Sequence, residues 1–143
     1  MSTILKTEDL ENHLSEISNF SDYIDKHSDN LISEENLSEY LNCLIEKKGC
    51  KKSDIVKHTN LNRAYVYQIF EGRKKPSRDK LIAISIGMKL EFDEIQALLK
   101  YAGYRQLYAR DTRDSAIIFS VQHGCSFDEI NVTLYEQGLK EIE

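Results

Sequence analysis

The sequence predicts an all-helical protein, and three observations carry that reading. Apolar residues recur at three- and four-residue spacing in one segment after another. No sustained stretch shows the alternation of a half-buried strand. Proline occurs once, at Pro76, and glycine six times, so punctuation is sparse and falls between the periodic segments.

The elements follow in order. Residues 7–26 place Leu10, Leu14, Ile17 and Ile24 near one face with acids between them, which predicts one amphipathic helix. Ser28-Asp29-Asn30 is a break. Asn36 followed by Glu39 has the spacing of a cap whose third residue reaches back. Leu37, Leu41, Leu44 and Ile45 then form an apolar stripe that ends at Gly49. A short helix from Lys52 to Thr59 turns Ile55 and Val56 inward. Asn60 follows, and asparagine tolerates the left-handed backbone a tight turn uses. Asn62 is a good N-cap for the next helix, which carries Val66, Ile69 and Phe70 on its inner face and stops at Gly72. Arg73-Lys74-Lys75-Pro76 is a loop. Ser77 caps a helix with Leu81, Ile82, Ser85 and Met88, and another runs from Phe92 to Tyr101.

Beyond Gly103, residues 104–110 read as a connector. Residues 111–123 form a helix with Ile117, Ile118 and Val121 inward. Ser126 and Glu129 make a capping box for a last helix bearing Phe127, Ile130 and Leu134. The chain thus divides into an acidic N-terminal segment (1–33), a central helical domain (34–103) and a C-terminal helical extension (104–143).

The 143 residues carry a net charge of −5, but the distribution is uneven. Residues 1–46 hold a net −9, residues 47–80 a net +8, and residues 81–143 a net −4. A basic block between acidic flanks points to a localised polyanion contact rather than a uniformly basic protein. No apolar run reaches the ~18 residues of a membrane helix. The N-terminus lacks the basic and apolar regions of a secretory signal. The expected location is the cytoplasm, with Cys43, Cys50 and Cys125 as reduced thiols.

No cofactor or metal is expected. His13, His27 and His58 are scattered and read as surface residues, and His123 ends a helix where a ring nitrogen can meet a free carbonyl. Ser77-Arg-Asp-Lys80 matches a short nucleophile motif without its partner motifs. No phosphate-binding glycine loop or metalloprotease motif occurs. The residues therefore argue against an enzyme.

The chemistry concentrates in residues 52–78. Two short helices joined by a few residues make a helix-turn-helix. At about 100° per residue, Ala64, Tyr67, Gln68 and Glu71 point away from the apolar face of the second helix. Arg63 stands at its tip, where such helices meet base edges. Arginine can bond guanine with both arms, glutamine can pair with adenine, and alanine admits a thymine methyl. Arg63, Ala64, Tyr67 and Gln68 are thus the expected base-reading set. Lys52, Ser53, Asn62, Tyr65, Arg73, Lys74, Lys75 and Arg78 are the expected phosphate contacts.

Over Lys51-Lys-Ser-Asp-Ile-Val-Lys-His-Thr-Asn-Leu-Asn-Arg-Ala-Tyr-Val-Tyr-Gln-Ile-Phe-Glu-Gly-Arg-Lys-Lys-Pro-Ser77 the chain resembles the lambda-repressor-like, XRE-type helix-turn-helix family. Its most recognisable part is a helix, Gly72, a basic loop, Pro76 and a leucine-bearing helix. The resemblance spans about residues 37–101 and implies a five-helix DNA-binding domain with its third helix in the major groove. It places base reading on Arg63, Ala64 and Gln68, and a phosphate anchor on Lys52. The chain departs from the family's usual pattern at Lys52, Val56, Asn60 and Phe70. The implied function is that of a transcriptional regulator, a repressor, bound to double-stranded DNA as a homodimer through the segments outside residues 37–101. The other reading is a protein-interaction module, an antitoxin or adaptor, that docks a protein partner through its acidic N-terminal or C-terminal helices.

Overall fold

The computed structural model describes residues 5–143; the first four residues of the acidic segment lie outside it. The described residues are all-helical, without a strand. The helices are α1 (Thr7–Glu16), α2 (Phe20–Lys26), α3 (Glu34–Lys48), α4 (Lys52–His58), α5 (Arg63–Phe70), α6 (Arg78–Gly87), α7 (Phe92–Tyr101), α8 (Thr112–Gln122) and α9 (Phe127–Glu136). A 3-10 turn, Ser28–Asn30, precedes α3.

The core is organised by α6, in which every residue from Leu81 to Gly87 is buried. A helix that is apolar on all sides must be surrounded, and α4, α7 and α9 pack around it. Its buried hydroxyl, Ser85, donates to the Leu81 carbonyl at 2.8 Å, so no polar group is stranded. At Gly87 a Cβ would stand 3.0–3.2 Å from Thr59 Cγ2 and from Ile55 Cγ2 and Cα. The missing side chain is what lets α6 approach α4 closely.

The C-terminal extension shares this core. Leu107, Ile117, Phe127, Ile130, Leu134 and Ile142 belong to the same buried apolar cluster as Leu41, Ile55 and Val66. The capping box of Ser126 and Glu129 forms as expected, with both reciprocal hydrogen bonds. Arg113 in α8 grips Asp79 in α6 with two bonds of 3.0 and 2.8 Å, and also donates to the carbonyls of Lys140 and Glu141.

Four local expectations are corrected. The single helix over 7–26 is two, because Asn19 stands extended and its side chain accepts from the Ser21 amide, starting α2 afresh. The cap of α3 is Ser33 rather than Asn36. Asn36 lies one turn inside, and its side chain points back to donate to the carbonyls of Ser28 and Leu31. Asn60 does not adopt a left-handed backbone. Thr59 closes that turn instead: it leaves α4 extended, its hydroxyl donates to the Ile55 carbonyl and it accepts from the Leu61 amide. Finally, His27 is buried rather than at the surface. Its Nε2 lies 2.9 Å from Nδ1 of His13, and the ring packs on Tyr23. Burial, with the charges of His13 and Lys26, pushes the His27 pKa down.

The Asp79–Arg113 pair has a pH signature. Burial pushes the Asp79 carboxyl up, but the hydrogen bonds and charge of Arg113 outweigh it and hold the pKa below the ordinary 3.8. A depressed carboxylate stabilises the fold above its ordinary pKa, and that contribution disappears as pH falls through the folded value. Asp79→Asn is expected to destabilise the protein by about 1–3 kcal/mol at neutral pH, because Arg113 loses the charge of its acceptor. Urea melts should also show a flatter loss of stability below about pH 4 in the variant than in the parent.

Candidate nucleic-acid interface

Helix α5 is mounted on α3 and α4. Its inner face, Val66, Ile69 and Phe70, is buried. Asn42 of α3 secures the far end by donating to the Phe70 carbonyl at 2.9 Å, while also bonding Ser38. At the near end Asn62 accepts from the Tyr65 amide, which satisfies one of the first-turn donors. Gly72, with φ of +76°, then turns the chain into the basic loop.

With the inner face spent on packing, Arg63 and Ala64 are exposed at the N-terminal tip, and Tyr67 and Gln68 are half-buried one turn on. Arg63 lies over the Tyr67 ring at 5.4 Å and reaches its hydroxyl at 3.4 Å. Lys52, the first residue of α4, comes to the same ring, 5.4 Å from Tyr67, and lies 5.8 Å from Phe70. The residues expected to read bases and the lysine expected to hold a phosphate are thereby brought onto one surface. Ser53 is half-buried in the first turn of α4.

A second cluster flanks the first. Lys74 and Lys80 stand 5.7 and 5.9 Å from the Tyr65 ring, and Lys75 stands 5.1 Å from the ring of Tyr104. Tyr104 is fixed by donating its hydroxyl to the Pro76 carbonyl. Burial raises the pKa of both tyrosines, and Tyr104 adds to the rise at Tyr65, so both stay neutral donors. Arg73 pairs with Glu71 at 3.3 Å, both well exposed, an arrangement worth little. Among the described residues Lys52, Arg63, Lys74, Lys75 and Lys80 form no ion pair. Their charges sit on aromatic faces, each such contact contributing about 0.5–1 kcal/mol at an exposed site.

Arg78 is placed differently from the expectation. Its guanidinium is turned inward and bonds both carboxylate oxygens of Asp114 at 3.3 and 3.0 Å, with further bonds to the carbonyls of Arg105 and Gln106. Asp114 is buried, and a buried carboxylate has to be paired. Arg78 is therefore spent on the fold and is not among the groups facing solvent. Conversely, Lys80 and Tyr104 belong to the surface but were not among the expected contacts. Lys80 lies in the basic block and was legible by charge; nothing in the spacing ties Tyr104 to Tyr65.

Among the described residues no group of three or more histidine, cysteine, aspartate or glutamate side chains gathers to hold a metal. The three cysteines are half-buried and unbridged. His123 meets the Phe119 carbonyl at 2.8 Å, as its helix-end position implies. No helix among the described residues is long and apolar enough to cross a membrane.

Compared with protein-family models, curated proteins and solved structures, the chain matches none. The geometry therefore has to carry the functional reading unaided.

The cap on α5 offers a direct test of how its tip is held. Asn62→Ala should cost about 1 kcal/mol of stability. Hydrogen exchange should speed up first at the Tyr65 amide, which loses its acceptor.

Proposed function

We propose that the chain is a sequence-specific double-stranded DNA-binding protein, a transcriptional repressor of the lambda-repressor-like XRE type. On this reading α4 and α5 are its helix-turn-helix and α5 enters the major groove. One observation carries the proposal. The exposed tip of α5 presents Arg63 and Ala64, with Lys52 beside Arg63 on the Tyr67 ring and Lys74 and Lys80 on the Tyr65 ring, all without an ion pair, on a chain that is acidic elsewhere. The capped, buried inner face of α5 supports a rigid reading helix, since base contacts demand a fixed geometry. Arg63, Ala64, Tyr67 and Gln68 face the bases, while Lys52, Ser53, Asn62, Tyr65, Lys74 and Lys75 position the domain on phosphates. Arg73 joins them by leaving its weak pair with Glu71. The protein acts in the cytoplasm and requires no cofactor.

Selection of bound fragments from random duplex DNA tests the reading. A preferred site should emerge, and binding should weaken steeply with salt, by about 0.9 in log–log slope per phosphate contact. On that site Arg63→Ala or Gln68→Ala should cost about 1–3 kcal/mol, with little change on random duplex.

A homodimer completes this proposal, because two half-sites about one helical turn apart multiply the few base contacts of one domain. Light scattering at micromolar concentration should give twice the chain mass.

A second reading rests on a separate observation. Phe20, Phe119 and Tyr135 are large apolar side chains left 66%, 57% and 75% exposed. They suit a protein-interaction module that uses the same scaffold to hold a protein partner. A chain that shows no salt-dependent affinity for any duplex favours that module over the repressor.

A further inference from the structure

The connector between α7 and α8, residues 102–111, has no regular structure, yet side chains of three helices bond its backbone. Gln96 of α7 holds both backbone groups of one residue: Nε2 donates to the Leu107 carbonyl at 2.9 Å and Oε1 accepts from the Leu107 amide at 2.8 Å. Leu107 itself is buried in the core. Asp114 accepts from the Tyr108 amide at 3.0 Å while holding Arg78, and Arg78 in turn donates to the carbonyls of Arg105 and Gln106. A largely buried ion pair is a costly device for a plain linker, since desolvating two charges must be offset by every bond they make.

What this scaffold presents to solvent is basic and aromatic. Arg105 and Arg110 are exposed, Tyr108 is 52% exposed, and the segment from Tyr104 to Arg110 contains no acid. Arg105 touches Asp114 only at 3.5 Å with 63% of its side chain in solvent, so it can turn outward without unpairing the carboxylate that Arg78 already satisfies. The preceding residue, Tyr104, is the one whose ring lies under Lys75 and whose hydroxyl binds Pro76 in the basic loop. Through Tyr104 the connector therefore adjoins the basic loop that follows α5.

We propose that Arg105 and Arg110, steadied by the Asp114–Arg78–Gln96 network, form a second phosphate clamp that grips the DNA backbone beyond the stretch reached by α5 and the basic loop. The clamp rests on the DNA-binding reading above. Its chemistry suits a duplex backbone: two exposed cations on a firmly anchored backbone, with the half-exposed Tyr108 between them and no base-edge geometry. It lengthens the protected site without adding sequence preference.

The experiment compares the full chain with Arg105→Ala/Arg110→Ala and with Arg105→Lys/Arg110→Lys on the selected duplex and on a scrambled one. The alanine pair should weaken binding to both duplexes alike and flatten the salt slope by about 1.8, two contacts at about 0.9 each. The lysine pair should restore both, because a phosphate contact needs charge and not the arginine fork. Hydroxyl-radical footprints should lose protection on one flank with the alanine pair, and the protein's melting temperature should stay within a degree or two, as both side chains are exposed. A parent chain that binds duplex while the alanine pair keeps its slope and footprint overturns the clamp alone. A parent chain that holds no duplex overturns the DNA reading, and the clamp with it.

Discussion

The structure depends on the burial of α6. Seven consecutive residues, Leu81 to Gly87, are withdrawn from water, so beyond its first turn no side of this helix is left for solvent. Burying a Leu or Ile side chain contributes about 1.5–3 kcal/mol, and Leu81, Ile82, Ile84 and Ile86 lie in succession. Such a helix cannot exist as the edge of a domain. It compels α4, α7 and α9 to close round it, and it draws the C-terminal helices into the same core. The close approach at Gly87 fixes where α4 lies, and Thr59, which touches Gly87, also shapes the turn into α5. The position of α5 is thus a consequence of how α6 is packed.

Charge is sorted by the fold into two uses. Arg78, Arg113 and Lys48 face carboxylates that are buried or half-buried and pin one helix to another. Lys48 in the last turn of α3 meets Glu94 in the first turn of α7, so each charge also complements the helix dipole at its own end. Lys52, Arg63, Lys74, Lys75 and Lys80 face outward and lie on tyrosine or phenylalanine rings. An aromatic platform orients a cation without neutralising it, so the charge remains available to a polyanion. The net +8 of residues 47–80 hides this division, because paired and unpaired cations count equally in a sum.

The N-terminal segment is attached by other means. Its buried groups, Tyr23 and His27, lie outside the main apolar cluster, and its link to α3 is made by the Asn36 amide bonding the carbonyls of Ser28 and Leu31. Ile32 packs at Gly103, whose φ of +82° and lack of a side chain leave room for it. Polar bonds and one glycine seat this segment, where an apolar seam joins the C-terminal helices to the core. The difference follows from composition: α1 and α2 are rich in acids and bury little, and α8 and α9 carry Ile117, Ile130 and Leu134 fully buried.

Helix type and inner face were legible from sequence wherever the apolar spacing was strong and a local cap was present. The all-helical class, the Asn62 and Ser77 caps, the Ser126–Glu129 box and the buried set Val66, Ile69 and Phe70 depend on interactions within about four residues, which a sequence displays directly. A cap could also be misplaced this way. Asn36 suits a helix start, and only the 3-10 turn packed behind α3 gives it a different task and leaves the cap to Ser33. Pairings across distance were equally hidden: Arg78 reads as one more cation of a basic block until Asp114 is folded against it, and Tyr104 reads as a connector residue until it meets Pro76 and Lys75. The sequence alone thus determined what could be helical, which faces were apolar and where charge was dense, because those properties are local or additive. Tertiary structure decided which cations are consumed by the fold and which remain on the surface, because a salt bridge is chosen by proximity in space and not by position along the chain.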